Sequence, residues 1–355
     1  MIFRRARLAG AVGRFEAAVR TQDPQAIEDA LGRLHQRAAC ASRTELTAAA
    51  VRLAGLLPEV PTAPRARVAL LIGACVELGA DPVACAPGLL AGVRQTLGVA
   101  VHFPERWRAA GGGELPLPDE GTPHGGVAAR VGEEVADAWW ALLRWETAAV
   151  AVLNHRAVRE AVGDRRELLA TTARIAATVE GLLTCLNYAL LVLDDEPLVV
   201  LHRATRTGYR LRMTGVADNF QLHTLLAAEL SGAGHVPGEV PSAEAVAVCR
   251  NVPGQAPTAG TFRLSAPDGG EIWNEGTPAE IPEVDGTRLL VLDPLPYARS
   301  WPAGRFFANM PGDLVLERVL SAEETARWFD RVVTLDGAGP GRPPPGNGWA
   351  GETVV

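Results

Sequence analysis

Apolar residues in the first half of the chain recur at helical spacing. Ile27, Ala30, Leu31 and Leu34 fall on one face, and Asp23 followed by Pro24 supplies a cap with a proline at the first helical position. Ser42 and Glu45 have the spacing of a capping box ahead of Leu46, Ala49, Ala50 and Leu53. A third helix is predicted from Pro64 to Leu78, stopped by Gly79, and Asp81-Pro82 opens a fourth that Pro87 is expected to break or bend. Residues 1–99 therefore read as helix pairs or a bundle, and the glycines and prolines of 100–126 as a long loop.

From Val127 to about Val162 apolar residues crowd most of a helical circumference, which predicts a helix buried on several sides. Gly163 ends it, and Asp164 with Glu167 caps another carrying Leu168, Ile175, Val179, Leu182 and Leu186 inward. Residues 127–193 thus form a region of long buried helices.

The period changes after Leu193. Leu198 to Arg203 and Tyr209 to Thr214 alternate around Thr205-Arg206-Thr207-Gly208, the pattern of a β-hairpin. Asp218 or Asn219 caps a short helix rich in leucine, and Ala245 to Val248 reads as a short apolar strand. Phe262 to Leu264 and Ile272 to Trp273 make a second hairpin through Pro267-Asp268-Gly269-Gly270. Strands at Arg288–Leu292 and Leu314–Val319 and a last helix capped by Ser321 and Glu324 complete an α+β region over 194–335. Residues 336–355, with Pro343-Pro344-Pro345 and no regular period, read as a disordered tail. The fold class expected is α+β: an α-helical N-terminal half followed by a mixed α+β C-terminal half with antiparallel hairpins.

Composition narrows the chemistry. The 355-residue chain holds 34 basic residues, and every one is arginine. GC-rich codon usage accounts for this together with the abundant Ala, Gly, Pro and Val; selection against modification of the lysine ε-amine is the alternative. Either way, a standard P-loop, a Schiff-base lysine and the strand lysine of a conventional kinase are excluded. A formal charge of −7 and 5% aromatic residues argue against nucleic acid as a partner. Five cysteines without a CxxC pair fit reduced thiols in a cytoplasmic protein. No signal-peptide core is apparent, and the apolar run from Gly181 to Leu193 is too short to span a bilayer, so no membrane association is expected.

Candidate chemistry is sparse. Alternation on the second strand of the first hairpin puts Tyr209, Leu211 and Met213 on one face and Arg210 and Arg212 on the other. With Arg203 and Arg206 these would form an arginine face for a carboxylate, a phosphate or an acidic partner; a solvated sheet face is the competing reading. Asp218, His223 and Cys249 are the best nucleophilic set: a thiol at a strand end, an imidazole as base and an orienting carboxylate. An ordinary buried thiol and a satisfied histidine compete with it.

Asp194, Asp195 and Glu196 would suit a hard cation or a solvated turn. Trp139, Trp140 and Trp145 would line a ligand pocket or pack a core. The histidines lack zinc-ligand spacing, so no metal site is assigned, and no motif names a cofactor. The leading expectation is an intracellular interaction or adaptor protein with a protein partner, able to take a small acidic ligand on its arginine face. The alternative is an enzyme, a Cys/His hydrolase or transferase acting through Cys249 and His223.

Overall fold

A computed structural model describes residues 2–118 and 125–334. Five helices open the chain: α1 (Ile2–Thr21), α2 (Pro24–Ala38), α3 (Arg43–Leu56), α4 (Thr62–Glu77) and α5 (Pro82–Ala100). The caps expected for α2, α3 and α5 form. Asp23 and Asp81 accept from Ala26 N and Val83 N, and Ser42 and Glu45 cap each other. Pro87 does not end α5; it lies on the exposed face, where water can satisfy the Val83 carbonyl that its missing N–H leaves free. The stretch Pro82–Ala109 has the length and apolar character to cross a membrane, and half of its most apolar window is buried in the protein.

The span 100–126 is not loop throughout: it contains α6 (Phe103–Ala109) and the start of α7 (Gly125–Val131), while residues 119–124 lie outside the described part. The single long helix expected from Val127 to Val162 is divided into the rest of α7, α8 (Glu133–Trp140), α9 (Leu142–Leu153) and α10 (Arg156–Ala161). Gly132, at φ +90°, makes the first break, a conformation that glycine reaches without steric cost. An extended His155 makes the last.

The helix expected to carry Leu168 through Leu186 is likewise divided, into α11 (Arg165–Ala176) and α12 (Thr184–Leu191), which close the helical half, and Asp164 makes no side-chain cap hydrogen bond. The first turn of α12 is capped from a neighbouring helix, since Glu146 Oε1 on α9 accepts from Leu186 N at 2.8 Å.

The C-terminal half contains β1 (Glu196–His202), β2 (Thr207–Thr214), α13 (Asn219–Leu230), α14 (Ala243–Arg250), β3 (Ala256–Ala259), β4 (Phe262–Ser265), β5 (Glu283–Val284), β6 (Thr287–Pro294), β7 (Ser300–Ala303), β8 (Asp313–Val319) and α15 (Ala322–Phe329). The main sheet runs β4-β6-β1-β2-β8, with β5 on β6, and its one parallel pair is β1 with β6. Strands β3 and β7 form a separate antiparallel ribbon.

Alternation divides the sheet's side chains between two cores. Leu198, Val200, Tyr209, Leu211 and Leu290 meet α13 and α14, whereas Val199, Leu201, Leu289 and Val291 meet Phe329 of α15. The second expected hairpin survives only as a turn: Ile272 N donates to Leu264 O, but the lasting partner of β4 is β6. Ala245–Val248 is helical, part of α14 and capped by Ser242, so Cys249 sits in a helix and not at a strand end. Residues 336–355, expected to be disordered, lie outside the described residues.

The halves meet through the segment that follows β7. Phe307 and Met310 are buried in the helical core, and the Phe306 ring stacks on Tyr188 of α12 at 4.6 Å. The same segment is tied to the end of α14: Arg305 donates to the Arg250 and Val252 carbonyls, and Gly312 N to Arg250 O.

Candidate functional site

The alternation of β2 places Tyr209, Leu211 and Met213 in the core and leaves Arg210 and Arg212 on the opposite face. Both guanidinium groups reach Glu317 of β8, at 3.2 and 2.6 Å, and together they hold its carboxyl below the usual range, Arg212 having the larger effect. Arg212 also donates to the Asp195 carbonyl.

Arg203 and Arg206 do not join this pair. Arg203 Nε binds the buried Asp293 carboxylate at 2.5 Å, and Arg206, in the hairpin turn at φ +55°, lies over the Phe329 ring at 3.9 Å. The four arginines expected to make one face are thus distributed over a strand face, a turn and a strand end.

What gathers around Arg210 comes from elsewhere in the chain. A cleft of about 490 Å³ opens between the sheet and α15, and Arg210, Arg318, Arg327 and Arg331 line it beside Trp328, together with the carboxylates of Asp285, Glu324 and Asp330. Arg318 makes a two-point pair with Glu324, both contacts at 2.8 Å. That pair, with the Ser321 amide, carries the Glu324 carboxyl down to about 2. Arg331 pairs with Asp285 at 2.9 Å. Arg327 has no hydrogen-bond or ion-pair partner among the described residues. The Arg327/Arg331 pair, four apart on the C-terminal helix and its following turn, is the signal in the sequence that would have pointed here.

The nucleophilic set is placed differently from its expectation. Asp218 is the N-cap of α13, its carboxylate accepting from Gln221 N at 2.7 Å, and burial pushes it up to about 6. His223 Nε2, the lone pair that a general base would use, already accepts from Thr261 N at 2.9 Å and Phe262 N at 3.2 Å. Nδ1 faces Asn274 Oδ1 at 3.5 Å, and burial holds the imidazole down to about 4, so it is neutral at pH 7.

Cys249 Sγ contacts Gly304 O at 3.5 Å, and burial pushes the thiol up to about 11. A thiol without thiolate character and an imidazole with an occupied lone pair do not form a nucleophile–base couple.

The other candidates are absorbed by the fold. Asp194 is gripped at two points by Arg159 at 2.8 and 2.6 Å, Asp195 pairs with Arg156, and Glu196 with Arg288 at 2.8 Å. The acidic cluster therefore latches β1 to α10 and to β6. Trp139, Trp140 and Trp145 are core residues: Trp139 stacks on Phe103 at 4.6 Å, and Trp145 packs against Gly92 so closely that a Cβ there would lie 2.4 Å from the ring. No group of histidine, cysteine and carboxylate side chains suited to a metal occurs among the described residues. No family model matches the chain, and no curated protein or solved structure is found similar to it.

Proposed function

We propose that the protein is an interaction module whose C-terminal half docks an acidic segment of a protein partner in the cleft between α15 and the sheet. The reading rests on Arg327, a guanidinium with no anionic partner among the described residues, beside Trp328 and three further arginines in one opening. The carboxylates that neutralise Arg210, Arg318 and Arg331 belong to partly exposed pairs. Such pairs contribute only about 0–1 kcal/mol each, so a partner's carboxylates can exchange with them at little cost. The planar guanidinium fork favours carboxylate or phosphate oxygens, and Trp328 offers an apolar wall beside them. A small acidic ligand would use the same contacts.

We place this interaction in the cytoplasm, a reading supported by the free, exposed thiols of Cys40 and Cys185.

The test compares the tagged full chain with an Arg327→Glu/Arg331→Glu variant, each recovered gently from the native host with its stoichiometric companions quantified. The variant is expected to lose at least tenfold of the bound partner while its unfolding midpoint stays within the wild-type range. Equal recovery of the same partner by both proteins would remove the cleft from the interaction.

A further inference from the structure

A second open groove lies on the β3–β7 ribbon, and its chemistry is unlike that of the arginine cleft. It holds about 350 Å³ and is lined by Pro257, Thr258, Ser300, Trp301 and Pro302 with Gln255 and Ala256, so no ionisable side chain faces it. The Trp301 ring is fixed from behind, 5.4 Å from Phe220 and 4.9 Å from His223, and it lies over Gly260, where a Cβ would approach it to 3.1 Å. Trp301 Nε1 and Thr258 Oγ1 are sheltered from solvent without an acceptor or donor partner.

An uncharged groove with a fixed tryptophan and two prolines suits a polyproline II segment, whose rings pack on aromatic faces. An added β-strand suits it less, because proline has no N–H to give to a ladder.

The chain's own sequence contains a stretch of that composition. Pro340 and Pro343-Pro344-Pro345 surround Gly341 and Arg342, a PxxP spacing that runs into three consecutive prolines. We infer that the β3–β7 groove is the docking site for this chain's own segment 340–345. The reach permits it. Val333 N is bonded to Pro267 O, which fixes where the segment departs, and Pro267 lies seven chain steps from Gly260 beneath Trp301. Those seven steps span at most about 23 Å, whereas the nine steps from Thr334 to Pro343 extend up to about 30 Å. Docking within the chain raises the effective concentration of the segment to roughly the millimolar range, so a weak individual contact is enough to keep the groove occupied.

The experiment leaves residues 2–334 unaltered. Amide hydrogen exchange over residues 256–259 and 300–303 is compared between the full chain and a Pro343→Ala/Pro344→Ala/Pro345→Ala variant. Exchange in the ribbon is expected to be at least threefold faster in the variant, with β1 and β2 unchanged. A synthetic peptide of residues 338–347 at saturating concentration should restore the protection. Identical exchange in the two proteins would overturn the assignment. So would ribbon protection that rises with protein concentration, because the occupant would then be a second copy and not the segment of the same chain.

Discussion

His223 sits on the leucine-rich helix where a sequence reading offers it as a base, yet both of its ring nitrogens are spent on joining α13 to β4 and to Asn274. The imidazole is neutral in the folded protein, held down to about 4, while an unfolded histidine titrates near 6.5. A depressed folded value means that the stability it contributes is complete above about pH 6.5 and is lost as pH falls through 4. The loss amounts to about 3 kcal/mol.

Asp218 acts with the opposite sign: its raised carboxyl favours the folded state as pH falls from about 6 towards the ordinary carboxylate range. A His223→Gln variant keeps the Asp218 contribution and removes the other. Urea titrations between pH 7 and 4 should therefore show the wild type losing about 3 kcal/mol more than the variant; parallel curves would refute the neutral, doubly accepting imidazole. The identity of the titrating residues was legible in the sequence. Their roles were not, because the Thr261 and Phe262 amides that occupy Nε2 lie 38 and 39 positions away.

At the scale of the element, β8 shows how an edge strand is closed. Its outward amides do not wait for another chain: Leu314 N donates to Asp313 Oδ1 at 2.9 Å, and Leu316 N to Glu229 Oε2 of α13 at 3.2 Å. Arg250 of α14 holds both carboxylates, at 2.9 and 2.8 Å. Unpaired edge amides are templates for pairing with another strand, and this clamp covers two of them. A Glu229→Ala variant is expected to lose about 1–3 kcal/mol of stability, because the Leu316 amide and the Arg250 guanidinium each lose an acceptor. Sedimentation velocity should show more self-association than in the wild type; an unchanged distribution would mean that the edge is protected by other means. Helix caps and the β1–β2 alternation were legible because they depend on neighbours a few positions apart. The clamp was not, since Glu229, Arg250 and Asp313 come from three separate elements.

For the whole molecule, the decisive contact is the segment between β7 and β8. It belongs to the α+β half by its position in the chain and by its bonds to α14, but it places Phe307 and Met310 in the helical core. Removing that anchor with Phe307→Ala should cost about 3–5 kcal/mol, the usual range for a buried aromatic. Calorimetry should then resolve two unfolding transitions where the wild type has one, as expected when the coupling between halves is weakened; a single transition in both would locate the coupling elsewhere. By itself the sequence determined the division into a helical half and an α+β half, most helix starts, the first hairpin and which side of β2 carries arginine, because periodicity and capping act over short distances. It also determined which lysine chemistry is absent. Tertiary contacts alone settle that Arg210 shares a cleft with Arg318, Arg327 and Arg331 while Arg203 goes to Asp293, that Asp194 is consumed by Arg159, and that the Thr261 and Phe262 amides occupy His223 Nε2. Those outcomes depend on which distant segments share a cleft or a core, and the spacing of residues along one strand or helix holds no record of that.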